Sequence, residues 1–203
     1  MAQMENRLGV RATYYFRADA RGVFSAAEIA MIAGLGHEIG YHYEDLSFCK
    51  GHRDLALIRF HRNIETLRQL APCVTVSMHG APLSRYHNQD LLGEDDFVQA
   101  SLLGDAVSSV SSFAPYYLTD TGGCWLAGKS NLRDRVGKYW PAHAVPVNMP
   151  AFKGFIAETR QPLYISTHPE RWSATMPGYM SIKMADMAIN AVKRVVRLAR
   201  FSG

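Results

Sequence analysis

An α/β fold with parallel strands and crossover helices is what this sequence predicts, on three observations. Short runs of β-branched and aromatic residues alternate with runs of helical period, the order in which parallel strands and crossover helices follow one another. Polar residues stand just past one strand after another: His42, His79, Asp120 and His168. In α/β barrels the chemistry sits at the C-terminal ends of the strands, so four such residues point to one rim. The composition, 48% hydrophobic and 20% charged over 203 residues, is that of a globular chain able to bury a full core. One domain spanning 1–203 is the simplest organisation.

The elements follow in order. Met1 to Leu8 reads as the end of a helix closed by Gly9, glycine being common just past a helix C-terminus. Val10 to Phe16 (VRATYYF) reads as a strand. Ser25 with Glu28 three residues on is a capping box, and its helix runs to about Ala33 before Gly34-Leu35-Gly36. Glu38 to His42 is a short strand. Asp54 opens the clearest helix, with Leu57, Phe60, Ile64, Leu67 and Ala71 on one face and Pro72 as its stop. Cys73 to Met78 is a strand that delivers His79-Gly80-Ala81-Pro82. From Asn88 to Pro115 the pattern is weak, a helix and a loop. Tyr116 to Leu118 is a strand leading into Thr119-Asp120-Thr121-Gly122-Gly123, and 128–150 reads as loop. Leu163 to Thr167 is a strand ending at His168-Pro169, and Ser181 to Phe201 is a long amphipathic helix.

Several classes of function are disfavoured. The net charge of +4 permits an anionic partner without requiring one. Cys49, Cys73 and Cys124 form no CxxC pair, which argues against a zinc knuckle and for reduced thiols in a cytoplasmic protein. No apolar run approaches the length of a membrane span, and the N-terminus has no apolar signal core. No GxSxG elbow, P-loop or GxGxxG motif is present. The basic stripe Lys193, Arg194, Arg197 and Arg200 reads as a solvated helix face, so no nucleic-acid partner and no membrane span are expected; a basic membrane- or nucleic-acid-associated protein using this helix is the less favoured alternative.

The densest chemistry is Gly36-His37-Glu38-Ile39-Gly40-Tyr41-His42-Tyr43-Glu44-Asp45. An imidazole beside two carboxylates at a strand end is what a borderline divalent metal needs. Strand alternation puts His42 and Glu44 on one side if the extended stretch continues, whereas Asp45 needs a turn first. His79 is a further candidate ligand, with Gly80 allowing close approach. His168 at its strand end suits general acid or base work near neutral pH, and Trp172 offers a wall for a sugar. His37, at the far end of its strand, and His61, at the edge of an apolar helix face, read as structural. His52, His87 and His143 lie in loops without a supporting pattern.

Three of these blocks together resemble the polysaccharide deacetylase family, the NodB-like carbohydrate esterases. Gly9-Val10-Arg11-Ala12-Thr13-Tyr14-Tyr15-Phe16 is similar to the family's second strand, G-V-K-A-T-F-F. Leu35-Gly36-His37-Glu38-Ile39-Gly40-Tyr41-His42 is similar to its G-H-E-I-G-N-H segment, and Ile165-Ser166-Thr167-His168-Pro169 to its closing L-x-H motif. The resemblance implies a distorted (β/α) barrel and metal-dependent hydrolysis of an amide, the N-deacetylation of an amino sugar or glycan. It implies a divalent metal, zinc, on His42, with Glu44, Asp45 or His79 completing the shell. His168 is then the general acid, with Asp120, Tyr86, Trp125 and Trp172 around the sugar.

The departures are specific. The family's second metal-binding His falls on Leu46, and its R-x-P-Y segment is replaced by His79-Gly80-Ala81-Pro82. The family's acidic first strand, which carries a metal ligand and the catalytic base, is missing from the chain as written. The expectation is a barrel incomplete at its N-terminus, weak or inactive in this form, with open sheet edges that invite a homo-oligomer. A non-catalytic sugar-binding or assembly protein on the same fold is the alternative.

Overall fold

The structure, a computed structural model, describes residues 1–81, 84–111, 113, 116–120, 138–139, 149–173 and 175–201. The chain divides into two compact units, Met1–Ser109 and Val110–Gly203.

The first unit is built on a parallel sheet whose strand order equals its chain order: β1 (Thr13–Phe16), β2 (Glu38–Tyr43), β3 (Thr75–Met78) and β4 (Gly104–Asp105). Thr13 pairs with Glu38, Tyr41 with Val76, and Val76 with Asp105. Helix α1 (Ala2–Arg7) precedes the sheet; α2 (Ala26–Gly34) links β1 to β2, and α3 (Asp45–Phe48) and α4 (Arg53–Arg68) link β2 to β3. A 3-10 turn at Asn88–Leu91 and helix α5 (Glu94–Gln99) lead to β4, and α6 (Ser108–Ser111) follows it.

The core follows from the two periods. Along β2, Ile39, Tyr41 and Tyr43 alternate onto one buried face. Along α4, Ala56, Phe60, Ile64 and Leu67 form the buried stripe. Phe60 sits between the two tyrosines, 5.6 Å from each ring. On the other face of β2, Gly40 is required by close approach: a Cβ there would lie 2.3 Å from the Tyr15 ring. His37 is structural, as its position predicted. It is 6% exposed, with Nε2 3.0 Å from the Ala2 carbonyl and Nδ1 accepting from the Ala12 amide, so it pins α1 to the sheet.

The second unit carries β5 (Tyr116–Thr119), β6 (Lys138–Tyr139) and β7 (Leu163–Ser166), parallel and in the order β6-β5-β7. Helix α7 (Met149–Glu158) leads into β7, a 3-10 turn (Pro169–Arg171) leaves it, and α8 (Met176–Phe201) ends the chain. Among the described residues no helix is long and apolar enough to cross a membrane.

The expected α/β class with parallel strands is thus observed. Several local expectations differ: β1 starts at Thr13 and β3 at Thr75 rather than at Val10 and Cys73, and α4 ends at Arg68, short of Pro72. Ser25 stands at the α2 N-terminus but its side chain makes no cap hydrogen bond; its carbonyl accepts from Ile29 instead. Helix α3, with four residues, is too short to show a period. Helix α7 occupies a stretch whose first two residues fall in the segment read as loop. Helix α8 starts at Met176, five residues early, because Pro177 in a first turn costs no hydrogen bond.

Candidate functional site

In the first unit the ends of β2 and β3 bring His42, Glu44 and His79 together. His42 is opposite Ser77 in the ladder. Its Nδ1 lies 2.9 Å from the Ser77 carbonyl oxygen, which can only accept, so Nδ1 is the donor in this contact. The His79 amide extends the ladder by donating to the Tyr43 carbonyl at 2.7 Å. The two imidazoles then meet edge to face, with centroids 5.2 Å apart.

Glu44 lies just beyond β2. Its Oε2 is 3.0 Å from His79 Nδ1 and 3.5 Å from Arg17 Nη1. The His79 contact is a close approach rather than an in-line hydrogen bond, for the buried Nδ1 has no hydrogen-bond partner. The neighbouring His79 N–H, then the Arg17 charge, hold the Glu44 carboxyl below its ordinary range against the opposing effect of burial.

Asn88 ties the residue after β3 to helix α3. It is 1% exposed. Its Nδ2 donates to the His79 carbonyl at 2.6 Å, and its Oδ1 accepts from the Ser47 amide at 2.9 Å. Tyr86 packs in the same segment. Its ring occupies the space above Gly51, where a Cβ would lie 2.2 Å from it, and its hydroxyl accepts from Arg85.

Asp45 turns inward and is not brought to the imidazoles. The carboxylate is wholly buried, accepts from Tyr41 Oη at 2.7 Å and Asn63 Nδ2 at 3.1 Å, and pairs with Arg59 Nε at 3.1 Å. Arg59 also donates to the Asp19 and Ala20 carbonyls and stacks on the Phe48 ring. Burial pushes the Asp45 carboxyl up to about 6, outweighing the Tyr41 hydrogen bond and the Arg59 charge. Asp45 therefore serves as the buried anchor of α3.

In the second unit, Asp120 directly follows β5 and His168 stands two residues past the end of β7. Thr119 and Ser166 are opposite in the ladder, which sets the two side by side. Asp120 is 7% exposed and uses both oxygens. Oδ1 lies 2.6 Å from His168 Nδ1. Oδ2 accepts from the His168 amide and from Trp172 Nε1, each at 2.9 Å. The carboxylate thus fixes the imidazole plane and places the exchangeable nitrogen at Nε2. Arg171 pairs with the buried Asp186, so the turn between His168 and Trp172 is held to α8.

Among the described residues no group of three or more His, Cys, Asp or Glu side chains could hold a metal ion. His42 and His79 bring two imidazoles together, fewer than the three protein donors that a zinc site uses. Trp125 lies outside the described residues. Sequence reasoning missed Arg59, Asn63 and Asn88. The first two sit four residues apart on the buried stripe of α4, and a polar pair at that spacing was the available signal. Asn88 carried none.

The chain matches no family model, no curated protein and no solved structure.

Proposed function

We propose that this chain is a metal-dependent amide hydrolase of the polysaccharide deacetylase type, removing the N-acyl group of an amino sugar or glycan on a distorted (β/α) barrel. The observation that carries the reading is the Asp120–His168–Trp172 arrangement at the strand end where the resemblance puts the general acid. His168 protonates the leaving amine from Nε2, since Asp120 engages Nδ1. The Trp172 ring, 44% exposed and held through Nε1, offers a face to a sugar. His42 and His79 are the metal donors. A divalent metal held there would supply Lewis-acid polarisation of the acyl carbonyl.

Acetate release from N-acetylated chitooligosaccharides, with zinc supplied, tests this. Activity abolished by a chelator and lowered about 10²–10⁴-fold in Asp120→Asn supports it. Chelator-insensitive sugar binding without acetate release would replace it with the non-catalytic sugar-binding reading.

A further inference from the structure

Helix α8, with 26 residues, is the longest described element. Within its unit it is sheltered along one narrow line. Gly178, Ile182 and Asp186, four residues apart, form that line, and Arg171 holds Asp186 there. On nearly the opposite side of the helix stand Met176, Met180, Met184 and Met187, each between 48% and 70% exposed. Their spacing of four, four and three keeps them on one face. The sequence continues the same spacing with Ala191, Val195 and Leu198. Four exposed methionines within about three turns make a contiguous apolar stripe, not scattered surface residues.

The charge of the same helix is one-sided. It carries Lys183, Lys193, Arg194, Arg197 and Arg200 against one acid, Asp186. Its net charge equals the +4 of the whole chain, so the rest of the protein is balanced. That imbalance selects the occupant of the stripe. A second copy would bring two basic helices together with no acid free to face their cations, since Asp186 is taken by Arg171, and like charges oppose such pairing. Nucleic acid would meet the cations and leave the apolar stripe in water. An anionic lipid surface matches both features: apolar side chains enter the acyl boundary, and Lys and Arg attract the headgroups. With six charged residues the helix lies in the plane of the interface and does not cross it.

We propose that α8 docks the protein on an anionic lipid surface through the Met176–Met180–Met184–Met187 stripe. The proposal is independent of the hydrolase reading.

The test is sedimentation of the full chain with sucrose-loaded vesicles at about 0.15 M salt. Vesicles of equal parts phosphatidylglycerol and phosphatidylcholine carry the wild type down, and vesicles of phosphatidylcholine alone do not. Lys193→Gln with Arg194→Gln lowers the affinity about 20–30-fold, from about fivefold per basic residue. Met184→Asp with Met187→Asp, at exposed positions that leave the fold intact by circular dichroism, lowers it at least tenfold. Leu55→Asp with Ile58→Asp, an exposed apolar pair on α4, leaves it unchanged. Failure of the folded wild type to bind the anionic vesicles overturns the proposal, as does equal binding to both vesicle types. Undiminished binding by the methionine variant overturns it in favour of a plain polyanion site. A dimer in solution that the methionine variant dissociates assigns the stripe to a second copy and overturns it too. A second measurement needs no variant: dilute peroxide followed by peptide mapping. Saturating anionic vesicles protect the four methionines from sulfoxide formation; oxidation at the same rate with and without vesicles refutes their burial in lipid.

Discussion

Replacing Arg59 by methionine isolates the buried charge at Asp45. The methionine keeps an apolar stem beside Phe48 but removes the cation 3.1 Å from the carboxylate. The effect depends on pH, and its sign follows from the raised Asp45 carboxyl. That group stands at about 6 in the fold against an ordinary 3.8. The folded state therefore binds the proton more tightly than the unfolded chain, and the associated stability is full below the ordinary value and lost as pH rises through about 6. Without Arg59 the folded value climbs further. At pH 5 both proteins hold the proton, and Arg59→Met costs only the two bonds to the Asp19 and Ala20 carbonyls, about 1–3 kcal/mol together. At pH 8 the wild type has released the proton and the variant has not. The two pH units between 6 and 8, at about 1.4 kcal/mol each, cap the added loss at about 3 kcal/mol. For a chain of this size that is about 5–12 °C in melting temperature. Urea unfolding by far-ultraviolet circular dichroism at both pH values measures it. An equal loss at pH 5 and pH 8 would refute the assignment of the effect to the Asp45 charge.

Other expectations concern packing, chemistry and reactivity. Gly40→Ala drives a methyl into the Tyr15 ring and to within 3.0 Å of the Thr75 carbonyl; it destabilises by about 1–3 kcal/mol in chemical denaturation, and by less in a Tyr15→Ala background. Trp172→Phe keeps a ring but removes the donor to Asp120 Oδ2; in the acetate-release assay, turnover falls about tenfold, from one hydrogen bond to a charged group, with KM little changed. Cys73 is 2% exposed and burial pushes its thiol up to about 11, so thiol labelling at pH 7 followed by peptide mapping finds it modified only after denaturation.

The parts of the fold that could be read in advance are those where period and burial coincide. The β2 alternation of Ile39, Tyr41 and Tyr43 and the α4 stripe of Phe60, Ile64 and Leu67 show in the sequence because each is an amphipathic pattern. Strands β4 and β6, of two residues each, are too short for any pattern. Among site residues, strand ends located His42, His79, Asp120 and His168. Strand alternation set Glu44 on the His42 side and required a turn before Asp45, but it did not show that the turn buries Asp45. What separates them is a backbone turn, and the Arg59, Asn63 and Tyr41 groups that receive Asp45 arrive from another helix and from within the strand. Asn88 escaped notice because its worth lies in two backbone partners, Ser47 and His79, that sequence does not bring near it.

Because the strands of the first sheet lie in space in the order they are made, no strand has to wait for a later one to be inserted beside it. The sheet can grow from one side during translation. The unit that holds Glu44 and His79 ends at Ser109, with residues 110–203 still to be made. At about 5–20 residues per second, the ribosome needs about 5–20 s for that remainder. The imidazole pair is therefore in a position to form while the segment carrying Asp120 and His168 is still unmade.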